Sequence, residues 1–346
     1  MGNKTKLMEK IISVSEQVIG DGNIVADPMA GTGLVSLEFR KKGYSLISSD
    51  IMTYSYHHLK TNLLINEYPL FNKLEDDVDF SMYLSNYECV LSYLNNINPE
   101  NGFFFDEFSP EGSPRNGEIS SRKYFTSENA RKIDGIRLKI NEWINKNKLT
   151  DLEESLLKHT LILSVNEVAN ISGTYGYFLS EFNKSSKNNL TLKPVKIDSS
   201  PNIDHIVKQG YAEDIANEIK ADLMYLDPPY IKRQYAANYH ILETIARGDF
   251  PDAVGKSGLR NWRDQYSNFC TKTKGIDSFE KVIRNSDCSN YIISYSEDGL
   301  FTIPELIDAL KKYGKIELIE VDHKRFKSNN SKLAKKLKEY LIIISA

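Results

Sequence analysis

The sequence predicts an α/β fold: a mostly parallel sheet with an antiparallel edge strand, interrupted by one largely helical insertion. Three observations predict it. Short apolar runs alternate with helical patterns near both ends of the chain, as βαβ units require. Two of those runs end in an Asp-Pro step, Asp27-Pro28 and Asp227-Pro228, and proline cannot continue a central strand ladder. Between about Asp79 and Asp204 the strand pattern gives way to long helical stretches and polar, proline-containing segments. The expected organisation is residues 1–78 and 205–346 as two parts of one sheet domain, with 79–204 inserted between them.

The elements follow in order. Leu7, Ile11, Ile12 and Val14 have helical spacing, which predicts a helix over Leu7–Gln17. Ile24–Asp27 is a short buried strand, Leu34–Lys42 a helix, and Ser45–Ile47 a second strand ending near Asp50. Prolines and glycines over Phe103–Phe125 predict a long loop. Ser127–Lys146 and Asp151–Val168 read as helices with Ser127 and Thr150 as N-caps. Asp222–Leu226, Tyr291–Ser294, Lys315–Val321 and Tyr340–Ile344 are strands, and Ile303–Tyr313 is a helix stopped by Gly314. The last two strands are expected to pair as the antiparallel edge.

With 346 residues, 40% hydrophobic and 26% charged, the chain can bury a large core. The net charge of −3 gives no overall basic field, so a polyanion partner would need a local basic face. Cys89, Cys270 and Cys288 are scattered without a CxxC pair. That pattern suggests neither a disulfide framework nor a zinc site, and no metal is expected. Inert thiols in a reducing cytoplasm are the expectation. No apolar run approaches ~18 residues, so no membrane span is expected.

Two motifs carry chemistry. In Asp27-Pro28-Met29-Ala30-Gly31-Thr32-Gly33, glycines directly after a strand let backbone approach a ligand closely. The next helix offers free N–H groups at its start. The motif reads either as a nucleotide-type site or as a tight β-to-α turn. Three residues past Gly33 stands Ser36, so the Gly-x-Gly-x-x-Gly pyrophosphate fingerprint is absent. Asp50, 17 residues after Gly33, is placed to take ribose hydroxyls or else is a solvated strand end. The second motif is Asp227-Pro228-Pro229-Tyr230. Its prolines stiffen the loop and leave carbonyls without local partners. The Asp carboxylate and a proline carbonyl can then accept both protons of one exocyclic amine. That aims the nitrogen lone pair at an electrophilic methyl group. Tyr230 offers a face for stacking on a base, and such a pocket requires a base taken out of the duplex.

In this order the two motifs resemble the adenine-specific DNA methyltransferases of the Dam-like class, in the form found in type II restriction–modification methylases. Other stretches are similar: Gly2–Leu7, Arg122–Phe125, Asn129-Ala130, Ala169-Asn170, Tyr175-Gly176, Arg233–Tyr235, Asn238–His240, Leu242–Ala246, Ser294–Ser296 and Lys324–Lys327. The resemblance implies a Rossmann-like methyltransferase sheet with a target-recognition insertion. Lys4, Asp27, Pro28, Met29, Gly31, Gly33, Asp50 and Asp214 would bind S-adenosylmethionine, with Asp50 on its ribose and Asp214 on its adenine amine. Asp227, Pro228, Pro229 and Tyr230 would form the catalytic site, Asp227 and Pro229 holding the target amine. Arg122, Lys123, Arg233, Tyr235, Lys324 and Arg325 would contact double-stranded DNA. A cognate restriction endonuclease is the implied functional partner. Met29 stands where the family usually has Phe, and Ile231 where it usually has Asn after the catalytic Tyr. Two basic stretches, Lys184–Lys196 and His323–Lys338, read either as solvated surface or as DNA-facing segments. His240 is expected to be structural. The competing readings are transfer to RNA or to the N4 amine of cytosine, a non-catalytic DNA-binding relative, and a nucleotide-dependent oxidoreductase.

Overall fold

The computed structural model describes residues 7–115, 117, 121–200, 204–324 and 336–345. In chain order its helices and strands are α1 (Met8–Ile19), β1 (Ile24–Asp27), α2 (Leu34–Lys41), β2 (Ser45–Asp50), α3 (Thr53–Leu64), α4 (Asn86–Asn95), α5 (Phe103–Phe108), α6 (Ser127–Asn145) and α7 (Asp151–Val168). They continue with β3 (Ile206–Gln209), α8 (Ala212–Ile215), β4 (Lys220–Leu226), α9 (Tyr235–Asn238), α10 (His240–Arg247), α11 (Gly275–Asn285), β5 (Asp287–Ser296), α12 (Ile303–Leu310), β6 (Lys315–Lys324) and β7 (Lys336–Ser345). Two compact units result. A sheet unit takes Gly2–Leu59, Ser200–Tyr235 and Gln265–Ala346, and a helical unit takes Lys60–Ser199 and Ala236–Asp264.

The sheet unit holds seven strands in the order β3-β2-β1-β4-β5-β7-β6. The first five are parallel; β7 pairs antiparallel with β5, and β6 antiparallel with β7. This is the sheet that the sequence predicts, antiparallel edge included. Its central strands are apolar without alternation because both faces are covered: Val25, Ala26 and Leu223–Leu226 are all buried. Asp222 locks the start of β1, since its Oδ2 accepts hydrogen bonds from Asn23 N (2.8 Å) and Ile24 N (2.9 Å). β2 ends at Asp50, as expected, and its buried serines find partners. Ser48 Oγ meets Ser36 Oγ at 2.9 Å, and Ser49 Oγ donates to Pro28 O at 3.2 Å. β3 is not expected from the sequence: a four-residue edge strand, half of it polar, carries little pattern. α12 starts at a capping box formed by Thr302 and Glu305. It ends at Leu310, and the expected last turn tightens into a 3-10 turn over Lys311–Tyr313.

In the helical unit, α7 has the expected bounds, with a capping box on Thr150 and Glu153. The cap of α6 is Thr126, whose side chain accepts from Asn129 N, so Ser127 is the first helical residue and not the cap. The predicted loop over Phe103–Phe125 is corrected as well: it begins with helix α5. No neighbouring residue caps α5. The Asp134 carboxylate, from α6, accepts from Phe104 N (2.9 Å) and Phe105 N (2.8 Å). A cap supplied from 30 residues away leaves no local signature.

Phe103, Phe104, Phe108, Tyr124, Phe125, Trp143 and Tyr175 form much of this unit's core. Within it Arg122 is 1% exposed. Its Nη1 meets Glu107 Oε2 at 2.6 Å, and its Nη2 donates to Ala253 O (3.2 Å) and Gly255 O (3.1 Å). Those carbonyls belong to a short hairpin in which Val254 and Leu259 exchange two 2.8 Å backbone hydrogen bonds. His240 is fully buried against Tyr175 O at 3.0 Å, and burial holds its pKa down at about 3. It is a neutral structural residue, as expected.

Candidate active site

Sheet topology places the site. Chain order reverses between β1 and β4, which lie side by side with Val25 opposite Leu223 and Ala26 opposite Met224. At such a switch point the loops beyond the two carboxyl ends diverge and open a crevice. Both sequence motifs begin there, Asp27 closing β1 and Asp227 following β4 directly.

The glycine loop turns where only glycine is comfortable: φ is +57° at Gly31 and +75° at Gly33, the residue before α2. Gly31 N donates to Asp50 Oδ2 at 2.8 Å, and Met52 N to Asp50 Oδ1 at 2.8 Å. Asp50 therefore clamps the loop to the end of β2. Nothing lies within 4 Å of where a Cβ on Gly31 would sit, so the loop faces open space. Pro28 is buried, and Met29 packs half-buried against the core beneath.

Asp27 is 1% exposed. Its Oδ2 accepts from Ser36 Oγ at 2.6 Å, while its Oδ1 has no partner among the described residues. Burial pushes its carboxyl up to about 7; the Ser36 hydrogen bond opposes this, and the charges of Asp227 and Asp50 add to it. The carboxylates of Asp227 and Asp50, from two other strand ends, thus act on Asp27. Such a place is prepared for a ligand carrying positive charge and hydrogen-bond donors.

On the catalytic side Asp227, Pro229 and Tyr230 are half-buried and Pro228 is buried. Tyr230 is fixed from two directions. Leu300 N donates to its carbonyl at 2.8 Å, and Tyr295 from the end of β5 meets its ring edge-on, at 6.1 Å and 70°. Tyr295 is held in turn by Phe301 N, which donates to its hydroxyl at 3.2 Å, and by Phe279 at 6.2 Å. Gly299 lets this happen: a Cβ there would lie 2.2 Å from the Tyr295 ring. The sequence assigns a role to Tyr230 alone and marks Tyr295 only as part of the Ser294–Ser296 resemblance; the contact of Tyr295 with Tyr230, and the place of Gly299, become visible when β5 lies beside β4.

Glu213 also escapes the sequence reading. The predicted Asp214 is exposed, and its Oδ1 is bridged by Lys281 at 3.0 Å. Its neighbour Glu213, 6% exposed, lines a cleft together with Asp214 itself, Tyr211, Asn268 and Ser278. Glu213 Oε1 is buried without a hydrogen-bond partner among the described residues. Two adjacent acids on a four-residue helix give no sequence signal as to which faces inward.

The predicted DNA contacts separate. Arg233 is exposed in the loop after the catalytic motif, and Tyr235, also exposed, opens α9. That loop is pinned by reciprocal hydrogen bonds between the Gln234 amide and the Ser267 backbone, 2.9 and 2.8 Å. Arg122 and Lys123 lie in the helical unit. Arg122 is corrected: its guanidinium is enclosed by the partners described above, and Tyr124 and Phe125 beside it are core. Lys123 donates to Ser180 O at 3.0 Å. Lys324 closes β6, while Lys4 and Arg325 lie outside the described residues. Among the described residues no cluster of His, Cys, Asp or Glu could hold a metal ion, and no helix is long and apolar enough to cross a membrane.

Comparison with known proteins agrees with this arrangement. Residues 1–305 match the model of the D12 class N6 adenine-specific DNA methyltransferase family. The chain is 33% identical over 353 aligned positions to the type II methyltransferase M.FokI of Planomicrobium okeanokoites, covering 99% of this chain and 52% of that protein. It is 31% identical to the type II methyltransferase M.NlaIII of Neisseria lactamica, covering 99% and 98%. It is likewise 31% identical to the modification methylase StsI of Streptococcus sanguinis, covering 99% and 51%. The chain thus spans about half the length of M.FokI and StsI but nearly all of M.NlaIII. A match over most of the chain, on a sheet that sets both motifs at one switch point, places this protein in the D12 class N6 adenine-specific DNA methyltransferase family.

Proposed function

We propose that this protein methylates the N6 amine of an adenine turned out of duplex DNA. The observation that carries the reading is the adjacency of β1 and β4, which brings the Asp27 loop and the Asp227-Pro228-Pro229-Tyr230 loop to one crevice. The order of the motifs, cofactor side before catalytic side, is that of the Dam-like class.

The donor is S-adenosylmethionine, which supplies a methyl group already activated on a sulfonium. The residues fit it: the open space before Gly31, the buried acid at Asp27 and the unpartnered oxygen of Glu213 are what a cationic, amine-bearing ligand needs. Asp50 takes the ribose, and we assign the adenine amine to Glu213 in place of Asp214. Asp227 and the Pro229 carbonyl accept the two protons of the target amine. Tyr230, its plane set by Tyr295, stacks on the base. Arg233 and Tyr235 meet the DNA beside it. A cognate restriction endonuclease and a cytoplasmic setting complete the proposal; the three cysteines are free and buried, as reducing surroundings favour.

The test is methyl transfer from labelled S-adenosylmethionine into mixed-sequence duplex DNA, followed by nucleoside analysis. Label in N6-methyladenine is expected. Label confined to cytosine or to RNA would overturn the substrate assignment.

Two further results are expected. Glu213→Gln replaces an acceptor with an amide that must turn its NH₂ away from the adenine amine. Cofactor Kd should rise by roughly tenfold, the cost of one charge-assisted hydrogen bond; an unchanged Kd would return the role to another residue. Asp27, its carboxyl raised to about 7, is neutral below that pH, so a cationic ligand gains its counter-charge only as pH rises. Cofactor affinity should therefore climb towards pH ~7 and level off above it, and Asp27→Asn should flatten the profile. The same shift makes the empty protein lose stability between pH ~4 and ~7, because the unfolded carboxyl ionises first.

A further inference from the structure

Register decides which side chains share a face of the sheet. Val25 of β1 lies beside Leu223 of β4, and Tyr225 of β4 beside Ile292 of β5. Ser294 and Ser296 of β5 lie beside Leu341 and Glu339 of β7. Side chains alternate along a strand, so Asp27, Tyr225, Ser294, Ser296 and Glu339 all belong to one face. They gather at the edge where β4 delivers Asp227, and none is more than 3% exposed. The other face is apolar there: Met224, Leu226, Ile293 and Ile342 are part of the hydrophobic core.

This buried polar row is not closed by its own hydrogen bonds. Tyr225 Oη and Ser296 Oγ have no hydrogen-bond partner among the described residues, and neither has Asp27 Oδ1. An orphaned buried hydroxyl is destabilising, and phenylalanine would fill the same space without that cost. Packing therefore does not account for the Tyr225 hydroxyl. Its proton stays in place: burial raises its pKa well above the ordinary tyrosine value, Asp227 adds to this, Ser294 opposes it, and Asp27 and Glu339 add further. Of the charged groups that act on it, Asp227 acts most strongly. A hydroxyl that remains a donor, two residues before an acid on the same strand, is placed to serve that acid.

We propose that Tyr225 is a positioning residue for methyl transfer, its hydroxyl donating through one bridging water to the Asp227 carboxylate and so keeping that carboxylate turned to the target amine. A bridging water is nearly as good as a direct hydrogen bond. The enclosed polar row suits one, because a buried water needs two or more polar partners. The proposal rests on the reading of Asp227 as an acceptor of the target amine. Tyr225 acts through Asp227 and not on the amine itself.

The experiment measures single-turnover methyl transfer into mixed-sequence duplex DNA for the wild type, Tyr225→Phe, Asp227→Ala and the double variant. Tyr225→Phe should lower the rate by about 10–100-fold, the worth of one hydrogen bond to a charged group. Its cofactor Kd, DNA Kd and urea unfolding midpoint should stay at wild-type values. In the Asp227→Ala background the same change should cost less than about threefold, because the carboxylate it serves is gone. Tyr291→Phe is the control. It removes a hydroxyl from the opposite face of the sheet, where Tyr291 lies beside Met224 and its Oη donates to Ile283 O at 3.2 Å, and it should keep the wild-type rate. A Tyr225→Phe rate within about threefold of wild type would overturn the proposal. So would an equal fall in both backgrounds, or a fall in rate matched by a fall in the unfolding midpoint. The Asp227→Ala rate in the same cycle reports separately on whether Asp227 holds the amine.

Discussion

Asp227→Ala is expected to lower methyl transfer by about 10³-fold or more under single-turnover conditions, with cofactor binding preserved. In the proposed reading the carboxylate is one of the two acceptors that orient the amine, and the variant removes it. An amine held by one proton rotates, and its lone pair no longer points at the methyl group. Lost positioning and lost preorganised electrostatics are each worth factors of this size. Asp227→Asn keeps the volume and one acceptor but loses the charge, so it should fall between alanine and wild type. A side effect follows from the carboxylates at the strand ends. Asp227 helps hold Asp27 protonated, so either variant should move the pH profile of cofactor affinity to lower pH. A variant that retained transfer within about tenfold would show that Asp227 does not hold the amine.

The second large effect is on stability. Glu107→Ala should destabilise the helical unit by about 3–5 kcal/mol, because it leaves Arg122 charged and buried without its carboxylate. Glu107 is itself 1% exposed, and its Oε1 also accepts from Arg115 N at 2.8 Å. The change is read by urea unfolding of the full chain. At roughly 2–4 °C per kcal/mol, Tm should fall by about 10 °C. Glu107→Leu with Arg122→Met removes both charges together and should recover most of the loss. If the single variant lost less than about 1 kcal/mol, the pair would be a bystander and not the anchor of the Val254–Leu259 hairpin.

The sheet was legible because its central strands are short, apolar and ended by Asp-Pro steps. Ile24–Asp27 is read to the residue. Local caps were legible too, as at Thr150. What stayed hidden was whatever depends on a partner distant in sequence. α5 takes its cap from Asp134, and β3 has no pattern of its own. The site divides in the same way. Asp27, Gly31, Gly33, Asp50 and the Asp227 motif announce themselves by spacing at strand ends. Glu213, proposed above for the adenine amine, and the ring contact of Tyr295 with Tyr230 stand out only by burial and packing, which the order of residues does not encode. Arg122 misled for a related reason. A basic residue beside aromatics reads as a nucleic-acid contact, and the same composition builds a core once a buried acid such as Glu107 neutralises the charge.

The strand order also decides when the sheet can form. Ile24 and Asp222, which meet at the foot of β1 and β4, are 198 positions apart. During synthesis β1 and β2 emerge early, but the neighbour that covers the other edge of β1 is made long afterwards. Closing that interval costs chain entropy before any central contact rewards it. Refolding of the sheet should therefore be slow, with the contiguous 60–199 stretch of the helical unit collapsing first. In the interval the unpaired edge of β1, an apolar run up to Asp27, is where a ribosome-bound or refolding chain is most exposed to aggregation.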